Sequence, residues 1–143
     1  MKLLSALASL VVVSAVALGV HAQTSKAQPY KVVFDLTSPD PLDQQAVLRW
    51  ISEIKSANPA TETEVVMYGH GLDLIIAAKT THAADVAKAI DDLHAQFRVC
   101  AIAMKNQHLV KADLLPNVQT VPDGIGEIVA KQRAGWGYIK VGH

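Results

Sequence analysis

The sequence predicts an α/β fold: a three-layer α/β/α sandwich on a five-stranded, mainly parallel sheet. Three observations carry this. Between residues 30 and 141, short β-branched or aromatic runs alternate with longer amphipathic ones. The first strand-like run, around Val32-Val33-Phe34, is apolar on both faces, as suits a strand covered on both sides. Each intervening stretch is long enough for a right-handed crossover between parallel neighbours.

The first strand is expected over Tyr30 to Leu36. Asp40, Pro41 and Asp43 then mark a helix start: an N-cap acceptor, a residue whose missing N–H costs nothing there, and a negative charge in the first turn. That helix should run to about Ala57, burying Ala46, Val47, Trp50, Ile51 and Ile54, and Asn58-Pro59 stops it. Glu64 to Gly69 reads as the second strand, and the glycines flanking His70 mark a sharp turn or a close backbone approach. A short helical turn over Leu72 to Ala78 follows. A helix from Thr81 or His82 to about Leu93, with Val86, Ile90 and Leu93 inward, then leads to a third strand at Phe97 to Cys100.

A polar, partly helical connection runs through His108 and Lys111 to Leu114-Leu115-Pro116, and Val118 to Val121 is a short fourth strand. Pro122-Asp123-Gly124 opens a last helix in which Ile125, Ile128 and Val129 are expected to face inward. Lys131 and Arg133 suit its carboxyl end, Gly135 stops it, and Trp136 to Val141 forms the fifth strand.

The chain's 143 residues suffice for one domain with a core and are too few for two comfortable ones. Lys2, the apolar run Leu3 to Val20 and the short residues Val20-His21-Ala22 read as a secretory signal over residues 1–22, cleaved after Ala22. The run also approaches the length of a membrane anchor, and Gln23 as mature amino terminus would decide for cleavage. Residues 23–29 form a mobile lead, and residues 30–143 a single domain. A periplasmic or otherwise exported location follows, with no membrane attachment after cleavage. A formal net charge of zero argues against nucleic acid as a partner. Lys88, Lys105, Lys111, Lys131 and Arg133 are scattered rather than clustered.

Cys100 is the only cysteine, so an exported chain forms no internal disulfide, and the thiol is buried, paired with another chain, or kept reactive. Phe97 to Cys100 alternates like a strand, whereas Ala101, Ala103 and Met104 favour helix. A strand is therefore expected to hand over to a helix at Cys100, placing the thiol where open parallel sheets bind ligands. A strand running on to Met104 would leave it a small core residue instead.

The same rule nominates Asp35 and His70, with Lys105 and His108 joining if the connection folds back. His70 is a candidate to stabilise a thiolate, against the simpler reading of a loop histidine. Asp35 is a weaker candidate, against the role of a hydrogen-bond acceptor near a helix start. Neither metal nor cofactor is expected. His82 and His94 are too far apart on one helix to chelate together, there is no P-loop, and Gly69-His70-Gly71 lacks the rest of a dinucleotide fingerprint.

Val32-Val33-Phe34, Tyr68-Gly69-His70-Gly71-Leu72, Phe97-Arg98-Val99-Cys100, Asp113 to Val118, Pro122-Asp123-Gly124 and Gln132 to Ile139 together resemble the DsrE/DsrF-like family of small sulfur-relay proteins. The closing pattern of Gln132, Gly135, Trp136, Tyr138 and Ile139 is its most specific part. The resemblance implies a five-stranded parallel fold and assembly into homotrimers or homohexamers. It also implies a persulfide-carrying cysteine after the third strand, a position that Cys100 matches. His94-Ala95 stand where the family usually has glycine-valine.

The resulting expectation is an exported sulfur carrier, a sulfurtransferase-like relay between a donor and an acceptor protein, with Cys100 holding the sulfur. The alternative is a non-catalytic oligomeric binding or assembly module with Cys100 in its core. Redox sensing through an intermolecular disulfide or a sulfenic acid is a third reading.

Overall fold

The computed structural model describes residues 28–142. The signal expected over residues 1–22 and most of the lead expected over 23–29 lie outside the described residues. The elements are β1 (Lys31–Leu36), α1 (Pro41–Ala57), β2 (Glu62–Met67), a 3₁₀ turn (Gly69–Leu74), α2 (Ala83–Asp91), β3 (Gln96–Cys100), α3 (Ala101–Asn106), a second 3₁₀ turn (Lys111–Asp113), β4 (Gln119–Val121), α4 (Gly124–Arg133) and β5 (Gly137–Val141).

The five strands form one sheet in the order β4-β3-β2-β1-β5, and every pair is parallel. From β1 to β4 the chain steps in one direction across the sheet, then returns past its starting point to β5. With crossovers of one hand, that reversal puts α4 on the opposite face from the earlier helices. The apolar packing agrees. Val32, Phe34, Leu36, Val65, Met67, Phe97 and Val99 point to the main core with Val47, Ile51, Val86 and Met104, whereas Val33 and Val66 meet Ile128 and Trp136.

Helix α1 begins as its residues dictate. The Asp40 side chain accepts from the Leu42 N–H at 2.8 Å, and Pro41 occupies the first turn. Replacing Asp40 by alanine should cost about 1 kcal/mol, read as a lower urea midpoint with an unchanged slope.

Several expectations need correction. Strand β2 starts at Glu62, two residues earlier than expected, because the Glu62 N–H already donates to Tyr30 O at 3.0 Å and opens the pairing with β1. It ends at Met67, and the helical turn expected over Leu72 to Ala78 comes earlier, as the 3₁₀ turn at Gly69–Leu74. In α1, Ala46, Trp50 and Ile54 are only half-buried, while Leu48 is buried.

In α4 only Ile128 of the expected stripe points inward. Ile125 is 59% and Val129 40% exposed. The helix is rotated so that Gly124, Ile128 and Lys131 face the sheet. Its rotation follows from a buried ion pair: Lys131 Nζ lies 2.6 Å from the carboxylate of Glu64, which is fully buried on β2. A charge in that position must be paired, and this requirement overrides the apolar pattern.

Candidate functional site

The handover expected at Cys100 is present. Cys100 is the last residue of β3, still in register with Val121 of β4, and its extended backbone (φ −69°, ψ 119°) is also the N-cap position of α3. On the α4 face, a Cβ added to Gly124 would lie 3.1 Å from Cys100 Cβ and 3.4 Å from side-chain atoms of both Tyr68 and Val66. The absence of a side chain at Gly124 is therefore what lets the first turn of α4 rest on the thiol-bearing residue. Asp123 caps that turn, accepting from the Ile125 N–H at 3.0 Å.

Cys100 is 4% exposed. It sits at the base of a shallow recess of about 240 Å³, whose other lining residues are Tyr68, Gly69, Ile102, Ala103, Asn106, Asp123 and Ile125. The recess is mostly apolar, and among the described residues no lysine, arginine or histidine lines it. The amino termini of α3 and α4 converge there, and the Asp123 carboxylate that caps α4 is the charged group in the lining.

Next to this recess, across the same face, lies a polar cluster around Asp35. Asp35 is 4% exposed yet its carboxylate is well partnered: Tyr138 Oη donates at 2.7 Å, Tyr68 Oη at 3.2 Å, and Lys140 Nζ lies at 3.2 Å. Lys140 also reaches Thr37 Oγ1 at 2.6 Å. The Asp35 hydrogen bond, followed by burial and the carboxylate's charge, pushes the Tyr138 phenol up to about 12. The Tyr68 phenol is raised chiefly by burial, then by the charge and hydrogen bond of Asp35, with Cys100 adding to it. Both phenols are thus held protonated as donors.

The remaining nominated residues lie elsewhere. His70 is exposed in the first 3₁₀ turn, and neither it nor Lys105 is among the residues lining the recess. The connection does fold back, with the Leu115 N–H donating to Ile75 O at 2.9 Å, but His108 then borders a different groove beside Ile76 and Leu109. Among the described residues, no group of three or more His, Cys, Asp or Glu is arranged to hold a metal ion. No helix among them is long and apolar enough to cross a membrane. The crevice beyond β1 and β5, where the strand order reverses, contains Thr37, Asp40, Asp43 and Lys140, the last already engaged by Asp35 and Thr37.

The DsrE/DsrF-like family model matches residues 31–141, from the first residue of β1 to the last of β5. The chain belongs to the DsrE/DsrF-like family. Among solved structures, this DsrE/DsrF-like chain is similar to the protein of unknown function MTH1491 from Methanobacterium thermoautotrophicum. The two are 25% identical, with a TM-score of 0.73 over 78% of this chain and 98% of that one. No curated protein matches the DsrE/DsrF-like chain.

Reading residues one at a time missed Tyr68 and Tyr138 as partners of Asp35. Both stand in stretches that carry the family resemblance, but they lie seventy residues apart, and only the sheet order brings their hydroxyls to one carboxylate. A local signal existed in Gly124, whose place at a helix start invites the question of what it must approach.

Proposed function

We propose that this DsrE/DsrF-like chain is an exported sulfur carrier in which Cys100 accepts a sulfane sulfur from one partner and yields it to another. The observation that supports this most is the position of Cys100 at the handover from β3 to α3, at the base of a recess on which two helix amino termini converge. The Cys100 thiolate attacks the outer sulfur of a donor persulfide. A new S–S bond forms at Cys100, the donor's S–S bond breaks, the donor leaves as a thiolate, and no net oxidation occurs. An acceptor thiolate then attacks the same outer sulfur and releases Cys100. Assembly into a homotrimer or homohexamer belongs to this reading, as the family resemblance implies.

After incubation with a persulfide donor, intact-mass measurement should show the gain of one sulfur atom, lost in Cys100→Ser and reversed by dithiothreitol. No gain in the parent, under conditions where a small free thiol reacts, would end the proposal. A second reading, an assembly module with Cys100 as core, is favoured by the near-complete burial of the thiol and its contacts with the main core. Equal oligomeric state and partner binding of Cys100→Ser and the parent, without sulfur uptake, would establish that reading instead.

A further inference from the structure

We infer that Asp35 is a positioning residue for Cys100, acting through Tyr68, whose hydroxyl it holds. The inference rests on the sulfur-carrier reading and adds what keeps the recess in shape. Tyr68 directly follows β2 and Cys100 ends β3, and the residues just before them, Met67 and Val99, are paired in register. The two side chains therefore stand beside each other on the face that carries α4. Both border the recess, and both bound the space that a side chain on Gly124 would take. The Tyr68 ring is thus a wall of the recess, and its place depends on where its hydroxyl is fixed.

That fixed point is Asp35 Oδ2, at 3.2 Å. The carboxylate is itself immobilised without Tyr138: it is buried within β1, and Lys140 Nζ on β5 holds its other oxygen, Oδ1, at 3.2 Å. A hydrogen bond to an ionised acceptor is stronger than one to a neutral acceptor. Tyr138 and Lys140 bond to Asp35 from β5, which backbone pairing already ties to β1. The bond to Tyr68 reaches the other way, toward β3 and the thiol. A fixed wall beside Sγ keeps an incoming sulfur compound in line with it, and such alignment accelerates transfer.

The test is a double-mutant cycle of Asp35→Asn and Tyr68→Phe, with Tyr138→Phe as a control that removes a donor on the side away from Cys100. Two readouts are taken on each folded variant: the rate and pH profile of Cys100 alkylation by iodoacetamide, and sulfur uptake by intact mass. Each single variant should raise alkylation about fivefold and lower sulfur uptake, and the double variant should match the singles rather than reach their product of about twenty-five-fold. Tyr138→Phe should stay within about twofold of the parent. Additive effects, equal effects in all three singles, or unchanged alkylation would overturn the inference. If Asp35→Asn does not fold, Tyr68→Phe decides alone, and an unchanged rate and pH profile overturns the inference. Should the parent take up no sulfur, the carrier reading fails while the alkylation cycle still decides the role of Asp35. Sulfur uptake by the parent with an additive cycle leaves the carrier reading standing and removes this inference.

Discussion

Gly71→Ala is expected to yield little or no folded protein. A Cβ at residue 71 would lie 2.1 Å from the Leu36 carbonyl oxygen, 2.7 Å from the Leu36 carbonyl carbon and 3.0 Å from Thr37 Cα. All three are backbone atoms at the end of β1, so no rotamer change relieves the contact. The 3₁₀ turn after β2 would have to lift away from β1 and take Leu72 and Leu74 out of the core. A loss above about 4 kcal/mol is expected, a large part of the stability of a domain this size. Gly137→Ala serves as the contrast. Its Cβ would meet Lys31 O at 3.6 Å, an ordinary contact, and a gain of about 0.4–1 kcal/mol is expected from the stiffer unfolded chain. Soluble yield and urea unfolding of the two variants check both signs, and a Gly71→Ala protein with the parent's midpoint would refute the first.

Lys131→Met should also be costly, and more so at neutral than at acid pH. Glu64 is fully buried, with Lys131 Nζ at 2.6 Å and Arg98 Nε at 3.4 Å, and among the described residues its Oε1 atom has no hydrogen-bond partner. Methionine keeps an unbranched apolar stem and removes the charge, which also stands 4.4 Å over the Trp136 ring and 3.5 Å from Glu127. Taking one partner from a buried ion pair typically costs about 3–5 kcal/mol, because the remaining charge is left uncompensated. Burial holds the Glu64 pKa above the ordinary carboxylate value, with Lys131 pulling it down. The folded state therefore binds the Glu64 proton more tightly than the unfolded chain does. The penalty from Glu64 is absent below the ordinary carboxylate range, grows as pH rises toward the raised value, and levels off above it. Without Lys131 that value rises further and the penalty extends to higher pH. Urea unfolding at about pH 5 and pH 7.5 should show the larger loss at the higher pH, and an equal loss at both would count against a charged Glu64 as the cause.

This ion pair also bears on the recess. Lys131 anchors the carboxyl half of α4 to β2, which fixes how the helix lies across the sheet and thereby where Gly124 meets Cys100. Loss of the anchor should loosen the far end of the same helix.

Much of the fold was legible because its signals are local. Asp40-Pro41 starts α1 and Asn58-Pro59 stops it. The exchange of β-branched residues for alanine and methionine at Cys100-Ala101 marks where β3 becomes α3, since backbone propensity changes within two residues. Helix α4 was legible as a helix but not in its rotation. Ile125, Ile128 and Val129 form as plausible an inward stripe as Gly124, Ile128 and Lys131, and the choice depends on a glutamate sixty residues earlier. Asp35 could be nominated from its place near a strand end. Its partners could not, because Tyr68, Tyr138 and Lys140 converge on it through pairings of β1 with β2 and β5.

The chain's own order of residues was enough to specify the five-strand α/β class, its element boundaries to within a few residues, and Cys100 at the junction of a strand and a helix. These depend on propensity, periodicity and capping, which act over a few neighbours. Long-range packing settled the rest: that α4 turns Ile125 and Val129 outward, that Gly124 rests on Cys100, and that Tyr68 rather than His70 walls the recess. Those outcomes follow from pairing buried charges and from close approach between strands and helices remote in sequence, which no local pattern encodes.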